Sequence, residues 1–223
     1  MNTCVVIPTY NEATEIRNLI ESIRQQNLQI IVIDDGSSDN TAYIAEKSGA
    51  IVLRNKINKG KGASLIRGFQ YALGHGFDAI ITMDGDGQHL PADIPFFIRL
   101  AEYSASGIFI GNRMTKTRNM PLIRLFTNRI MSKFISYITH QEIPDTQCGF
   151  RLIKKEVLRK LNLVTSKYET ESEILLRSAN LGFKIESVPI KTIYRQEKSR
   201  INPVLDSLRF LMFIIRELWI TVD

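Results

Sequence analysis

The sequence predicts an α/β fold in one domain, a Rossmann-like parallel sheet with helices on both faces. Two observations carry this expectation. Short β-branched apolar runs alternate with helix-length amphipathic stretches, the pattern of strands buried on both sides and linked by crossover helices. The chain is also 223 residues long, enough for one sizeable core. In order, strands are expected over residues 3–7, 29–33, 50–53 and 79–83. Helices fall between them at 12–26, 40–48 and 61–73, the second opened by Ser38 or Asp39 as N-cap. A helix over 92–103 follows Pro91, and 107–111 reads as a further strand. The second half is less regular. Residues 121–139 form a long amphipathic helix, 154–160 and 169–180 two more, 183–190 a strand, and 203–222 a final amphipathic helix that is apolar on most of its circumference.

Composition narrows the class without choosing a ligand. Hydrophobic residues make up 44% and charged residues 23%, ordinary globular usage that leaves little room for disorder. A formal charge of +6 favours anionic partners, and nucleic acid, acidic lipid and phosphorylated substrates all meet that description. Cys4 and Cys148 have no Cys-x-x-Cys spacing and no nearby His, so both are expected to be reduced thiols rather than zinc ligands. The opening residues lack the basic start and apolar stretch of a secretory signal, which makes the cytoplasm the expected compartment. Arg209 and Arg216 bracket only the six apolar residues 210–215, far short of the roughly 20 that span a bilayer.

Open α/β sheets bind ligands at the carboxyl ends of their strands. Four such ends are unusually polar here: Pro8-Thr9-Tyr10-Asn11-Glu12, Asp34-Asp35-Gly36-Ser37, residues 55–62, and Asp84-Gly85-Asp86-Gly87-Gln88-His89. In the last, two carboxylates one residue apart can both reach a hard divalent cation, with Gln88 as a third oxygen donor. A plain surface turn is the competing reading. A calcium loop is not, because the pattern wants Gly sixth and Glu twelfth, where this chain has His89 and Pro95. Asp34 and Asp35 suit either recognition of a base or ribose or a helix-starting turn. Lys59-Gly60-Lys61-Gly62 offers ammonium and backbone N–H groups to a phosphate, or is a solvated turn. Neither a P-loop nor a Gly-x-Gly-x-x-Gly fingerprint is present. His89 and His140 are expected at the surface.

VVIPTYNE at 5–12, DDGSSD at 34–39, NKGKGAS at 58–64 and DGDGQH at 84–89 resemble, in order, the donor-site motifs of family 2 glycosyltransferases. Gly111-Asn112-Arg113 and Asp145-Thr146-Gln147-Cys148-Gly149-Phe150-Arg151 extend the likeness toward the polyprenyl-phosphate branch, which includes dolichyl-phosphate mannose and glucose synthases. The resemblance implies a GT-A-type fold, with a donor-nucleotide half over about 1–111 and an acceptor half with interfacial helices over about 112–223. It places the donor on Pro8, Tyr10, Glu12, Ile33, Asp35 and Lys61, and a divalent metal, Mg or Mn, on Asp84, Asp86 and Gln88, with Gly85 lining the site. Arg113 is expected to face the phosphates. Arg124, with Asn128 in place of the family's Ser, is associated with the lipid phosphate, and Arg200 in Lys198-Ser199-Arg200 closes on the donor. Asp86, Asp145 and Arg113 are then the catalytic candidates, Asp145 as a base if the acceptor is a hydroxyl.

The reaction implied is inverting transfer of a hexose from a nucleoside-diphosphate sugar to polyprenyl phosphate. It would occur on the inner face of the membrane, where residues 121–139 and 205–222 meet anionic lipid. A membrane-anchoring partner or a homo-oligomer fits this picture, and nucleic acid does not. The alternative within the family is transfer to a glycan hydroxyl in cell-envelope polysaccharide synthesis. A nucleotide-sugar pyrophosphorylase is disfavoured by PTYNE, which replaces the Gly-rich basic signature at the first strand end.

Overall fold

Seven consecutive buried residues, TCVVIPT, make the first strand, and burial on both faces explains why they do not alternate in polarity. The computed structural model describes residues 1–115, 117 and 120–193. Within them the strands are β1 (Thr3–Thr9), β2 (Gln29–Asp34), β3 (Ile51–Arg54), β4 (Ala79–Thr82), β5 (Ile108–Asn112), β6 (Arg151–Lys154) and β7 (Ile185–Pro189). They form one sheet in the order β3-β2-β1-β4-β6-β5-β7. Helices α1 (Ile16–Arg24), α2 (Thr41–Lys47), α3 (Lys61–Gly74), α4 (Ile94–Tyr103), α5 (Leu122–Thr139), α6 (Lys155–Leu158) and α7 (Thr170–Asn180) connect them.

The sheet is mixed, which corrects the expectation of a parallel one. β6 runs antiparallel to both β4 and β5, pairing Arg151 with Thr82 and with Ile110. It therefore starts at the edge where β4 and β5 end. Residues 145–150 are thereby carried to the same rim as Asp84, joining motifs more than 60 residues apart in sequence. Sequence patterning missed β6 because Arg-Leu-Ile-Lys is too short to show a period, and the residues expected to start a helix at 154 close this strand instead.

α1 begins at Ile16 rather than near Glu12; the chain enters through Asn11 in the left-handed region, φ +53°, and the segment after it is tied to side chains following β2. Asn11 N–H donates to Ser37 Oγ (2.9 Å), Glu12 N–H to Thr41 Oγ1 (2.8 Å) and Ala13 N–H to Asp39 Oδ2 (3.2 Å). From Ile16 on, Leu19, Ile20 and Ile23 repeat at helical spacing and bury. Asp39, one of the two expected caps of α2, accepts the Thr41 N–H at 3.0 Å.

Helix α5 has the reverse of the usual polarity. Its buried residues are Asn128, Ser132, Ile135 and Thr139, mostly polar. Leu122, Ile123, Phe126, Ile130 and Tyr137 face outward, with Leu122 82% and Phe126 67% exposed. Among the described residues no helix is long and apolar enough to cross a membrane. The expected helix over 203–222 lies outside the described residues.

Candidate active site

The rim at the ends of β1, β2 and β4 gathers most of the predicted residues. After β4 the chain turns through Gly85 and Gly87, the latter at φ +68°. Gly85 sits so close to β1 that a Cβ there would lie 2.8 Å from Thr9 Cγ2 and 3.4 Å from Glu12 Cγ. Glycine thus brings Asp84 and Asp86 against the Pro8 to Glu12 segment. Asp86 Oδ1 accepts the Gln88 N–H at 3.0 Å, which shapes the turn. Asp84 is gripped from three directions: Lys61 Nζ at 2.6 Å, His89 Nε2 at 3.6 Å, and the Gly149 backbone. Lys61 also reaches Glu171 Oε1 of α7 at 3.2 Å.

The two carboxylates are electrostatically unequal. Burial pushes the Asp84 carboxyl up, but Lys61 and His89 outweigh it and hold it well below the usual range. Burial and then the Asp84 charge raise Asp86. Lys61 would be lowered by burial, yet Asp84 and Glu171 push it above its ordinary value. Among the described residues no three His, Cys, Asp or Glu side chains cluster as a metal cage. Two adjacent carboxylates, one short of positive charge, fit a hard cation that takes its remaining oxygens from a diphosphate and water, as magnesium does.

Several predicted residues stand differently from expectation. Ile33 is wholly buried in the core and its carbonyl accepts the Thr9 hydroxyl at 3.3 Å, so its side chain is not on the site face. Asp35 is buried and turned onto the next loop, accepting N–H from Lys59 (2.9 Å) and Gly60 (2.8 Å) and the Asn55 amide (2.8 Å). It shapes the loop that delivers Lys61. The expected phosphate cradle at the start of α3 is partly closed: Ala63 N–H donates to the Ser166 carbonyl at 2.9 Å, and a Cβ on Gly62 would strike Thr170. His89 is not at the surface but 3% exposed, against Asp84 and 5.5 Å from the Phe150 ring. His140 is exposed as expected.

Asp145 does not present a free base. It is fully buried, its Oδ2 accepting from Arg113 Nε (2.7 Å) and backbone N–H (2.9 Å) and its Oδ1 from Arg113 Nη2 (2.8 Å) and Asn128 Nδ2 (2.7 Å). Burial raises this carboxyl, but Arg113 more than compensates and keeps it below the ordinary range. Asn128 in turn accepts the Ser132 hydroxyl at 2.9 Å, so the network ties α5 to the end of β5. Arg124 lies half-buried one turn before Asn128. Pro8 is buried beneath the rim and Tyr10 is exposed on it. Arg200 lies outside the described residues.

Sequence reasoning missed Glu171, and it picked out Gly149 and Arg151 within the 145–151 motif without giving either a role. Arg151 is almost wholly buried and donates to the carbonyls of Cys148 (2.8 Å), Thr146 (2.9 Å) and Glu171 (2.6 Å), locking the 146–150 segment to α7. Nothing local marks Glu171, one of three glutamates spaced by two in the expected 169–180 helix, where i and i+2 share no face.

The model of glycosyl transferase family 2 matches residues 4–161. A UDP-N-acetylglucosamine–dolichyl-phosphate N-acetylglucosaminyltransferase of Methanococcus voltae is 32% identical over 86% of this chain and 86% of its own. A polyprenol monophosphomannose synthase of Mycolicibacterium smegmatis is 29% identical over 87% of this chain and 78% of its own. The fold matches a glucosyl-3-phosphoglycerate synthase from Mycobacterium tuberculosis, solved with Mn2+, UDP and phosphoglyceric acid. The TM-score is 0.72 at 21% identity, covering 93% of this chain and 73% of that one.

Proposed function

This chain belongs to glycosyl transferase family 2, and from that premise we propose that it transfers a hexose, with inversion, from a nucleoside-diphosphate sugar to polyprenyl phosphate at the cytoplasmic face of a membrane. The observation that carries the acceptor assignment is helix α5, which turns Leu122, Phe126 and Tyr137 outward and Asn128 and Ser132 inward. An outward apolar face flanked by exposed Arg129 and Lys133 suits the interface of an anionic bilayer. The relatives named for dolichyl-phosphate and polyprenol substrates support the same acceptor.

A divalent cation held by Asp84, Asp86 and Gln88 would neutralise charge on the departing diphosphate. Lys61, paired with Asp84 on the same rim, keeps a further positive charge near that diphosphate. Arg113 is held by Asp145 in a bidentate pair, which fixes its guanidinium rather than releasing it. A phosphate nucleophile arrives already ionised, so it needs cations and no base, in keeping with an Asp145 that is fully engaged. Arg124, one turn from Asn128 on the lipid-facing helix, is the cation assigned to that phosphate.

The test is transfer from UDP- and GDP-sugars by the purified chain, with polyprenyl phosphate present and absent and with Mg2+ or Mn2+ supplied or chelated. Product that requires both lipid and metal is the expected result. Metal-independent turnover, or transfer only to a glycan hydroxyl, would overturn it.

A further inference from the structure

We propose that the Lys61 ammonium is a resident counter-ion of Asp84 that a divalent cation must displace, and that Glu171 is the positioning residue that receives Lys61 when this happens. The proposal rests on Asp84 and Asp86 being metal ligands. Its basis is one ammonium shared by two carboxylates, 2.6 Å from Asp84 Oδ1 and 3.2 Å from Glu171 Oε1.

The supports on either side are fixed. Lys61 starts α3, whose first turn is held by the Ser166 carbonyl on Ala63 N–H and by the contact of Gly62 with Thr170. Glu171 is anchored through its own carbonyl by buried Arg151 at 2.6 Å. Only the Lys61 stem is free to redistribute, and its four-carbon chain allows movement without backbone change. An ammonium and a divalent cation on the same carboxylate repel strongly in a partly buried site. Metal arriving at Asp84 therefore drives Lys61 toward Glu171. Without Glu171 the displaced charge has no compensating carboxylate, and Lys61 holds Asp84 more tightly. The device disfavours capture of free metal and favours metal that arrives with a diphosphate, whose negative charge offsets the added cation.

Mn2+ affinity of the purified chain, measured by electron paramagnetic resonance without nucleotide, tests this. Lys61→Met is expected to tighten Mn2+ by about tenfold or more. Glu171→Gln is expected to weaken it in the wild-type background but to change it less than about twofold in the Lys61→Met background, since Glu171 acts through Lys61. Lys61→Arg keeps the charge and should stay within about threefold of wild type, a check that does not depend on tolerance of Met. Unchanged or weaker Mn2+ binding in Lys61→Met overturns the proposal. So does an equal loss from Glu171→Gln in both backgrounds, which would make Glu171 a direct contributor to metal binding. Asp86→Asn separates the two levels. If Mn2+ binding with UDP or GDP is indifferent to Asp86, the metal site itself is wrong; if it depends on Asp86 but not on Lys61, only the counter-ion role fails.

Discussion

The Gly149 backbone lies directly against the Asp84 carboxylate: a Cβ added there would stand 2.5 Å from Oδ2 and 2.6 Å from Oδ1. The Thr82 hydroxyl pins the Gly149 carbonyl at 2.7 Å, so the segment has little freedom to retreat. Gly149→Ala should therefore push Asp84 off Lys61 and out of register with Asp86. Overpacking of this kind costs about 1–3 kcal/mol, so the melting temperature should fall by several degrees while the protein stays folded. Turnover should drop and the metal concentration needed for half-maximal rate should rise. An unchanged metal titration would mean that Gly149 does not set the Asp84 position.

Asp86→Asn should abolish transfer and yet stabilise the metal-free protein. Burial and the Asp84 charge raise the folded Asp86 carboxyl above its unfolded value. Ionising it therefore costs stability as pH rises past the unfolded value, with the full cost present above the folded one. The amide removes that cost, so its melting temperature should exceed that of wild type near neutral pH and converge with it in acid. Added Mg2+ with UDP or GDP should raise the wild-type melting temperature and leave the variant nearly unmoved. A variant that melts lower than wild type at neutral pH would contradict the like-charge account.

Asp145→Asn should act on stability before chemistry. Removing one partner of a buried ion pair leaves Arg113 uncompensated, typically a loss of about 3–5 kcal/mol. Because Arg113 holds the folded carboxyl below its unfolded value, Asp145 contributes stability above the unfolded value and loses it as pH falls through the folded one. Denaturant midpoints against pH should show an acid-side loss in wild type that is absent in the variant. A fully stable Asp145→Asn protein without turnover would instead restore Asp145 as a base.

The gathering of Pro8 to Glu12 and Asp84 to Gln88 at one rim was legible because each set of residues is consecutive. Asp84 to Gln88 and Pro8 to Glu12 each follow an apolar strand, and a strand end in an α/β sheet is where ligands bind. The remainder depends on pairing. Gly149 reaches Asp84, and Glu171 reaches Lys61, only because β6 reverses direction and Arg151 bolts α7 to the segment before it, and neither relation leaves a periodic trace. Burial likewise could not be read for Asp35, Asp145 and His89, since a polar residue type predicts exposure and tertiary partners overrule it. The outward apolar stripe of α5 was visible as amphipathicity, but which face turns inward is settled by Asn128 bonding to Asp145.

That inversion supplies the last prediction. Phe126 and Ile130 lie one turn apart on the exposed face of α5, 67% and 52% exposed, where replacement by Ser should change folding stability by less than about 0.5 kcal/mol. If this face enters a bilayer interface, each side chain contributes on the order of 1.5–3 kcal/mol to binding. The double variant Phe126→Ser/Ile130→Ser should then lose vesicle binding by a hundredfold or more, by about the factor two such losses imply. Arg129 and Lys133, exposed on the same helix, should each add about 1 kcal/mol on anionic vesicles. That part should fade as salt rises, whereas the apolar part should persist. Arg124→Ala addresses the reaction rather than the anchor: it should raise the polyprenyl-phosphate concentration needed for half-maximal rate while vesicle binding stays near wild type. Co-sedimentation with vesicles of graded anionic content, read beside melting temperatures and transfer to lipid, separates these effects. A Phe126→Ser/Ile130→Ser protein that binds vesicles as wild type does, or one that loses stability in proportion to binding, would show that α5 faces protein rather than lipid.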